Sequence, residues 1–209
     1  MHKTVLGALL VSASSFLFDP VLATPLSPYQ NTGVPNIASY TFTAAATGDV
    51  TGFFAGASAS DISRIGLSVN GATPMLFGLS NQTSTVSRSL DFGAVVAGDA
   101  LSFILNNLTA GTQLSSDPDF NADGLQHVFA DQFESSGGAI PSGVQISFED
   151  LLKSQGGDFD HNDAPYVFTN VAFADPPIAA PLPAALPMFM GAAAVILLMA
   201  KHRKKRKSI

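Results

Sequence analysis

Residues 62–71, Ile-Ser-Arg-Ile-Gly-Leu-Ser-Val-Asn-Gly, decide the fold class. Ile65, Leu67 and Val69 occupy every second position, which places them on one face of a strand and turns the residues between them to the other. Asn70-Gly71 closes the run, and that pair tolerates the positive φ angles a tight hairpin needs. The same pattern recurs on both sides. Ser39–Ala44 sets Tyr40 and Phe42 on one face, Val50–Phe54 follows Gly48-Asp49, and Pro74–Leu79 and Thr83–Phe92 read as the next strands. Leu101, Phe103 and Leu105 alternate after Gly98-Asp99. Gln126–Phe133, Val144–Leu151 (with Val144, Ile146 and Phe148 inward) and Tyr166–Phe173 complete the series. Short strands at this spacing, joined by glycine-rich turns, predict an all-β, antiparallel β-sandwich of jelly-roll-like kind. Ala55–Ser63 is made of small residues and reads as a loop, and no fixed-period repeat points to a solenoid or propeller.

The two ends differ from this body. Residues 1–23 begin with His2 and Lys3, run through an apolar stretch from Val5 to Phe18 and end on Val21-Leu22-Ala23. That order predicts a secretory signal peptide cut after Ala23. Residues 24–38 are proline-rich and lack periodicity, which predicts an extended lead-in to a body at 39–176. Within 177–200 there is no charge, and about 20 helical residues cross a hydrocarbon core of ~30 Å. Residues 201–209 then carry Lys201, Arg203, Lys204, Lys205, Arg206 and Lys207, a cluster that stays cytoplasmic. The expectation is one C-terminal transmembrane helix, with the body exported across the inner membrane.

Between these ends the charge is lopsided. Arg64, Arg88 and Lys153 are the only cations from Thr24 to Ile178, against fifteen acids, for a net −12. Such a body repels nucleic acid phosphates and concentrates divalent cations. The chain has no cysteine, which excludes disulfides, thiolate metal sites and a cysteine nucleophile. Tryptophan is absent too, so sixteen phenylalanines supply the bulk of the core. The sequons at Asn81 and Asn107 are no more than chance would give.

Two polar loops carry the chemistry. Residues 154–163, SQGGDFDHND, place Asp158, Asp160 and Asn162 two residues apart with Asp163 adjacent, and Glu149 and Asp150 lie just upstream. Within the long connection Asn107–Leu125, residues Asp117, Asp119, Asn121 and Asp123 repeat the rhythm. Calcium takes six to eight oxygens at ~2.3–2.6 Å, and alternate Asp and Asn side chains in a tight loop can supply them. Neither loop is an EF-hand, since the glycine and closing glutamate of that motif are missing. The candidate metal ligands are therefore Asp158, Asp160, Asn162, Asp163, Glu149, Asp119, Asn121 and Asp123, with one calcium ion expected to crosslink 117–124 to 158–163. His127 is expected to be structural.

Two resemblances add to this reading. Pro181-Leu182-Pro183-Ala184-Ala185, a single span and a basic tail resemble the PEP-CTERM sorting signals of bacterial exported proteins, in the VPLPA variant; Ala180 replaces the variant's valine. That resemblance implies recognition by an exosortase and delivery to the cell surface or extracellular matrix, in association with exopolysaccharide. Phe148-Glu149-Asp150-Leu151, Gly156-Gly157 and Asp158-x-Asp160-x-Asn162-Asp163, with Asp123-Gly124 and His127 upstream, resemble an exported bacterial domain of unknown function over residues 117–174. It departs at Ala164-Pro165, which interrupt the run into the final strand, and it implies a β-rich domain with no established reaction.

The expected function is thus non-enzymatic: a calcium-stabilised envelope or matrix protein with a structural or adhesive role. A calcium-dependent lectin-like module uses the same acids with open coordination positions. A glycoside hydrolase would need Glu149 and Asp158 as acid and base, but their glycine-rich setting predicts no apolar surround to raise either pKa. No HExxH or GxSxG motif is present.

Overall fold

The computed structural model describes residues 26–174 apart from Met75, and the alternating runs within them form two packed antiparallel sheets. The strands are β1 (Thr41–Ala44), β2 (Gly48–Phe54), β3 (Ser63–Val69), β4 (Phe77–Ser80), β5 (Ser89–Val95), β6 (Ala100–Asn107), β7 (Thr112–Ser115), β8 (Val128–Phe133), β9 (Gly143–Phe148), β10 (Ala164–Phe168) and β11 (Val171–Ala174). One sheet has the order β11-β1-β6-β3-β4, with β7 also paired to β6; the other is β5-β2-β10-β9-β8. The expected signal peptide, the sorting motif, the span at 177–200 and the basic tail lie outside the described residues. Among the described residues no helix is long and apolar enough to cross a membrane.

In β6 of the first sheet, alternation survives as read, while β3 is buried at four positions in a row from Ile65 to Ser68. β6 buries Leu101, Phe103 and Leu105 and half-exposes the residues between them. Asn70-Gly71 makes a turn with φ of 52° and 74°, but β4 begins only at Phe77, so the expected tight hairpin is a longer connection between paired β3 and β4. Phe103 meets Phe168 of the opposite sheet at 4.4 Å between ring centroids, with Phe42 edge-on at 5.3 Å. Stacked phenylalanines thus fill the centre of the sandwich, where offset and edge-on rings pack favourably.

The second sheet behaves differently. All five residues of β10 are buried, and so are five of six in β9. Strands read as continuously buried when both faces are covered. The cover is the lead-in: Leu26 packs beside Phe133, Ile140 and Val167 on the outer face. The buried Gln145 amide clasps it, accepting from the Ser27 N–H and donating to the Ser27 carbonyl, both at 2.8 Å. The stretch expected to be merely extended is therefore part of the packing.

Four boundaries differ from the sequence reading. Tyr166–Phe173 is two strands in different sheets, broken at Thr169-Asn170, where Asn170 has φ 59°. Its side chain holds the corner by accepting from the Ala46 N–H and donating to the Asp49 carbonyl. Pro165 sits inside β10, a central strand. Its carbonyl accepts from the Ala55 N–H, just past the end of β2. A residue's N–H and C=O point to the same side of a strand, so the one bond proline forfeits is the reciprocal donation to the Ala55 carbonyl, at the very end of the β2–β10 ladder. Thr83–Arg88 is turn, and β5 starts at Ser89. The connection 107–125 contains β7 and a 3₁₀ turn at Pro118–Phe120.

Candidate metal centre

β9 ends at Phe148, and the chain passes through Glu149 and Asp150 into a 3₁₀ turn, Lys153–Gln155. Gly156 ends that turn at φ 102°, a conformation glycine adopts without penalty. At Gly157 the reason is space: a Cβ there would lie 2.6 Å from the Leu151 carbonyl oxygen and 3.2 Å from Glu149 Oε1. The Gly-Gly pair therefore lets the loop turn back over Glu149. Beyond it, Phe159 and His161 take φ of 51° and 55° and bury their rings. Asp158, Asp160 and Asn162, between and beyond them, stay more exposed. Asp158 Oδ1 accepts the Asp160 N–H at 3.3 Å, and Asp160 Oδ1 accepts the Asn162 N–H at 3.1 Å. The Asn162 amide bonds the other Asp160 oxygen.

Behind this loop the carboxylates converge. Ligand atoms of Glu149, Asp158 and Asp160 lie within 4.8 Å of one another, and so do those of Glu149, Asp150 and Asp163. Glu149 accepts the Phe159 N–H at 2.6 Å and the Leu151 N–H at 3.3 Å, and Asp163 accepts the Asp150 N–H at 3.1 Å. A further acid comes from the loop after β2. Asp61 lines the same cavity of about 130 Å³ as Ser58, Glu149, Asp150, Asp158 and Asp163. Two buried asparagines fix it: Asn107 donates to Asp61 Oδ2 and to the Asp150 carbonyl, both at 2.9 Å, and Asn81 donates to the Asp61 carbonyl. Both sequon asparagines are thus buried and hydrogen-bonded, which removes them as glycan acceptors. Asp61 was not a candidate from the sequence; nothing in AGASASDIS marks it, and only the two asparagines place it.

The electrostatics are those of a site short of positive charge. Burial, then Asp163, pushes Glu149 up to about 8. Burial and the neighbouring Asp150 raise Asp163 to about 7. Asp150 rises to about 6 through burial and the nearby Asp61 and Asp158. These values correct the expectation that no apolar surround raises a carboxyl pKa here. The sharpest feature is one atom: Asp150 is 3 % exposed, and its Oδ2 is buried with no hydrogen-bond partner. Buried carboxylate oxygens are ordinarily satisfied, and an orphan beside four other acids belongs to a cluster that could hold a cation.

The loop at 117–124 is used otherwise. Asn121 is buried, accepts the Ser115 N–H at 2.6 Å, and donates to the Ser115 and Leu125 carbonyls at 3.0 and 2.8 Å. Asp117 caps the 3₁₀ turn by accepting the Asp119 N–H, and Asp119 is exposed. Asp123 accepts from the Lys153 N–H at 3.1 Å and lies 3.1 Å from His127 Nε2. Burial pushes Asp123 up, but the Lys153 N–H, His127 and the Leu125 N–H together hold it below its usual range. Burial also keeps His127 neutral, so this contact is a hydrogen bond from Nε2–H at neutral pH. Neither carboxylate group includes Asp119 or Asp123. The two acidic loops do meet, through Asp123 and the Lys153 backbone.

His161 completes the surroundings. It packs edge-on against Tyr29 of the lead-in at 4.6 Å, and Tyr29 also touches Phe129. Burial pushes its imidazole down to about 4, and neither ring nitrogen makes a hydrogen bond of normal geometry. The loop is therefore anchored by rings below and fringed by carboxylates above. No family model, curated protein or solved structure matches this chain.

Proposed function

We propose that this chain is an exported envelope or matrix protein whose jelly-roll-like sandwich is stapled by calcium, with a structural or adhesive role and no catalytic one. The observation that carries the calcium reading is the unpartnered, buried Oδ2 of Asp150, a residue that lines one cavity with Asp61, Glu149, Asp158 and Asp163. All of these donors are hard oxygens, which suits calcium better than zinc or copper. Repeated crossing of the chain between the sheets supports the jelly-roll-like description. Export, exosortase recognition and association with exopolysaccharide rest on the sequence of 1–23 and 181–209.

The competing roles fit less well. A liquid water occupies about 30 Å³, so a cavity of about 130 Å³ takes an ion and a few waters more readily than a sugar ring. The raised pKa of Glu149 would suit a general acid. However, Glu149 is 1 % exposed and both its oxygens hold backbone N–H groups, which leaves it poorly placed to reach a glycosidic bond.

The test is thermal melting of the full chain in detergent, with EDTA and with calcium. At a hundredfold excess over its Kd, one site adds ~2.7 kcal/mol, or roughly 5–11 °C for a domain of this size. Asp150→Asn should abolish that shift and, by removing a buried unpaired charge, raise the melting point in EDTA. A wild-type protein indifferent to millimolar calcium would end the calcium reading.

A further inference from the structure

The sandwich has a second polar cavity, at the opposite sign of charge. It opens where edge strand β4 of the first sheet faces edge strand β5 of the second, and its volume is about 490 Å³. Arg64 of β3 and Arg88, just before β5, both line it. They are two of only three cations in a body of net −12. Both are exposed, and among the described residues neither guanidinium has a hydrogen-bond, ion-pair or ring partner. Two unpaired arginines in one cavity, on a surface with ample acid to pair them, are a concentration of positive charge that folding itself does not use.

The walls say what kind of anion fits. Ser80, Thr83, Ser84, Thr85 and Ser89 line the cavity with hydroxyls. Phe77 adds an aromatic wall, its ring lying against Gly66, where any Cβ would come within 2.7 Å of it. The floor is shaped by Gly78, where a Cβ would fall 2.2 Å from a Leu90 methyl. Small-molecule sites fall between about 300 and 1,000 Å³ and combine apolar walls with a few placed polar groups. A guanidinium binds a carboxylate through two parallel N–H···O bonds, a geometry lysine lacks. Hydroxyl walls add partners for a hydroxyl-rich ligand, and the aromatic ring offers a flat apolar face to a sugar ring.

We infer that this cleft is a binding site for a carboxylated saccharide, a uronic acid unit, with Arg64 and Arg88 on its carboxylate. The site is separate from the calcium centre and stands whether or not that centre holds a metal. It gives the body its own means of holding an acidic polysaccharide, independent of the sorting tail.

The experiment is equilibrium dialysis of the full chain in detergent against digalacturonate, at low salt and fixed calcium. Its uncharged methyl ester and inorganic sulfate serve as comparison ligands. Arg64→Gln and Arg88→Gln should each weaken digalacturonate about tenfold, the methyl ester should lose a similar factor, and Lys153→Gln should change nothing. Digalacturonate that fails to bind the folded protein overturns the assignment. So does binding that survives both arginine changes, or that falls equally with Lys153→Gln. Sulfate binding as tightly as digalacturonate would leave an anion site and overturn the saccharide. Circular dichroism of each variant separates loss of binding from loss of fold.

Discussion

The loops at 117–124 and 149–163 share a rhythm of acids and amides on alternate residues, and folding puts them to opposite uses. In the first, every buried polar atom of Asn121 is consumed by the backbone around it, and Asp123 is consumed by His127 and two N–H groups. In the second, the loop's own bonds fix its shape, but carboxylates are left facing one another: Asp150 Oδ2 accepts from no N–H group, and the side-chain neighbour of Asp150 is another acid, Asp163. The electrostatic signs differ accordingly: Asp123 is held below its usual pKa, while Glu149, Asp150 and Asp163 are pushed above theirs. Identical spacing therefore marks a turn in either case. What separates a self-satisfied turn from an acidic cluster that could hold a cation is whether other elements bring more acid or more N–H groups.

The largest effect should come from the self-satisfied loop. Asn121→Ala removes three hydrogen bonds, two of them buried, and strands the Ser115 N–H, at a cost of about 3 kcal/mol. Because the loss does not pass through an ion, it should be equal in EDTA and in saturating calcium. Urea unfolding under both conditions measures this. A loss confined to the calcium-loaded protein would place Asn121 with the metal ligands and erase the contrast between the loops.

A second difference lies in pH. The raised carboxyls of the 149–163 loop hold protons in the metal-free fold that the unfolded chain releases. Their favourable share of stability is thus complete below the unfolded value of about 4 and is lost as pH rises through about 8. Asp123 acts in the opposite sense. Its contribution is present above about pH 4 and is lost as pH falls through its lowered folded value. Buried, neutral His161 and His127 oppose the carboxyls below about pH 6.5. In EDTA the melting temperature should therefore fall between pH 6.5 and 8.5, and the calcium-induced rise should be greater at pH 8 than at pH 5, since calcium favours the ionised ligands. Melting curves at these pH values decide it; a metal-free protein that gains stability towards pH 8 would contradict the charge crowding described here.

The sandwich was legible wherever one face of a strand meets the core and the other meets water. Leu101, Phe103 and Leu105 of β6 show this; Ile65 and Leu67 are buried as read, but Gly66 and Ser68 beside them are buried too. Legibility failed where both faces are covered or where a corner hides inside an apolar run. Tyr166–Phe173 carries no polar break except Thr169-Asn170, yet Asn170 in a left-handed conformation turns the chain into the other sheet. β7 was missed because Thr-Gln-Leu-Ser has one apolar residue to signal with. In the site, the Asp158–Asp163 rhythm and the preceding Gly-Gly were readable because they are local. Asp61 and the two asparagines that position it were not, since their relation to Asp150 exists only across sheets. The lead-in's role was hidden for the same reason: Leu26 and Ser27 gain meaning from Val167 and Gln145.

The smallest effect sharpens the comparison from its other side. Asp119 has the sequence signature of a ligand, yet its side chain is exposed and lies in neither carboxylate group. Asp119→Ala should change stability by less than ~0.5 kcal/mol, as is usual for surface positions away from buried partners. It should also leave the calcium-induced melting shift intact. Asp117 caps the turn through the Asp119 backbone N–H, which alanine retains, so the local structure should persist. Calorimetric titration with calcium is the discriminating measurement. If Asp119→Ala lowered calcium affinity tenfold, the 117–124 loop would have to close onto the ion after all, and the contact through Asp123 and Lys153 would be the hinge by which it does so.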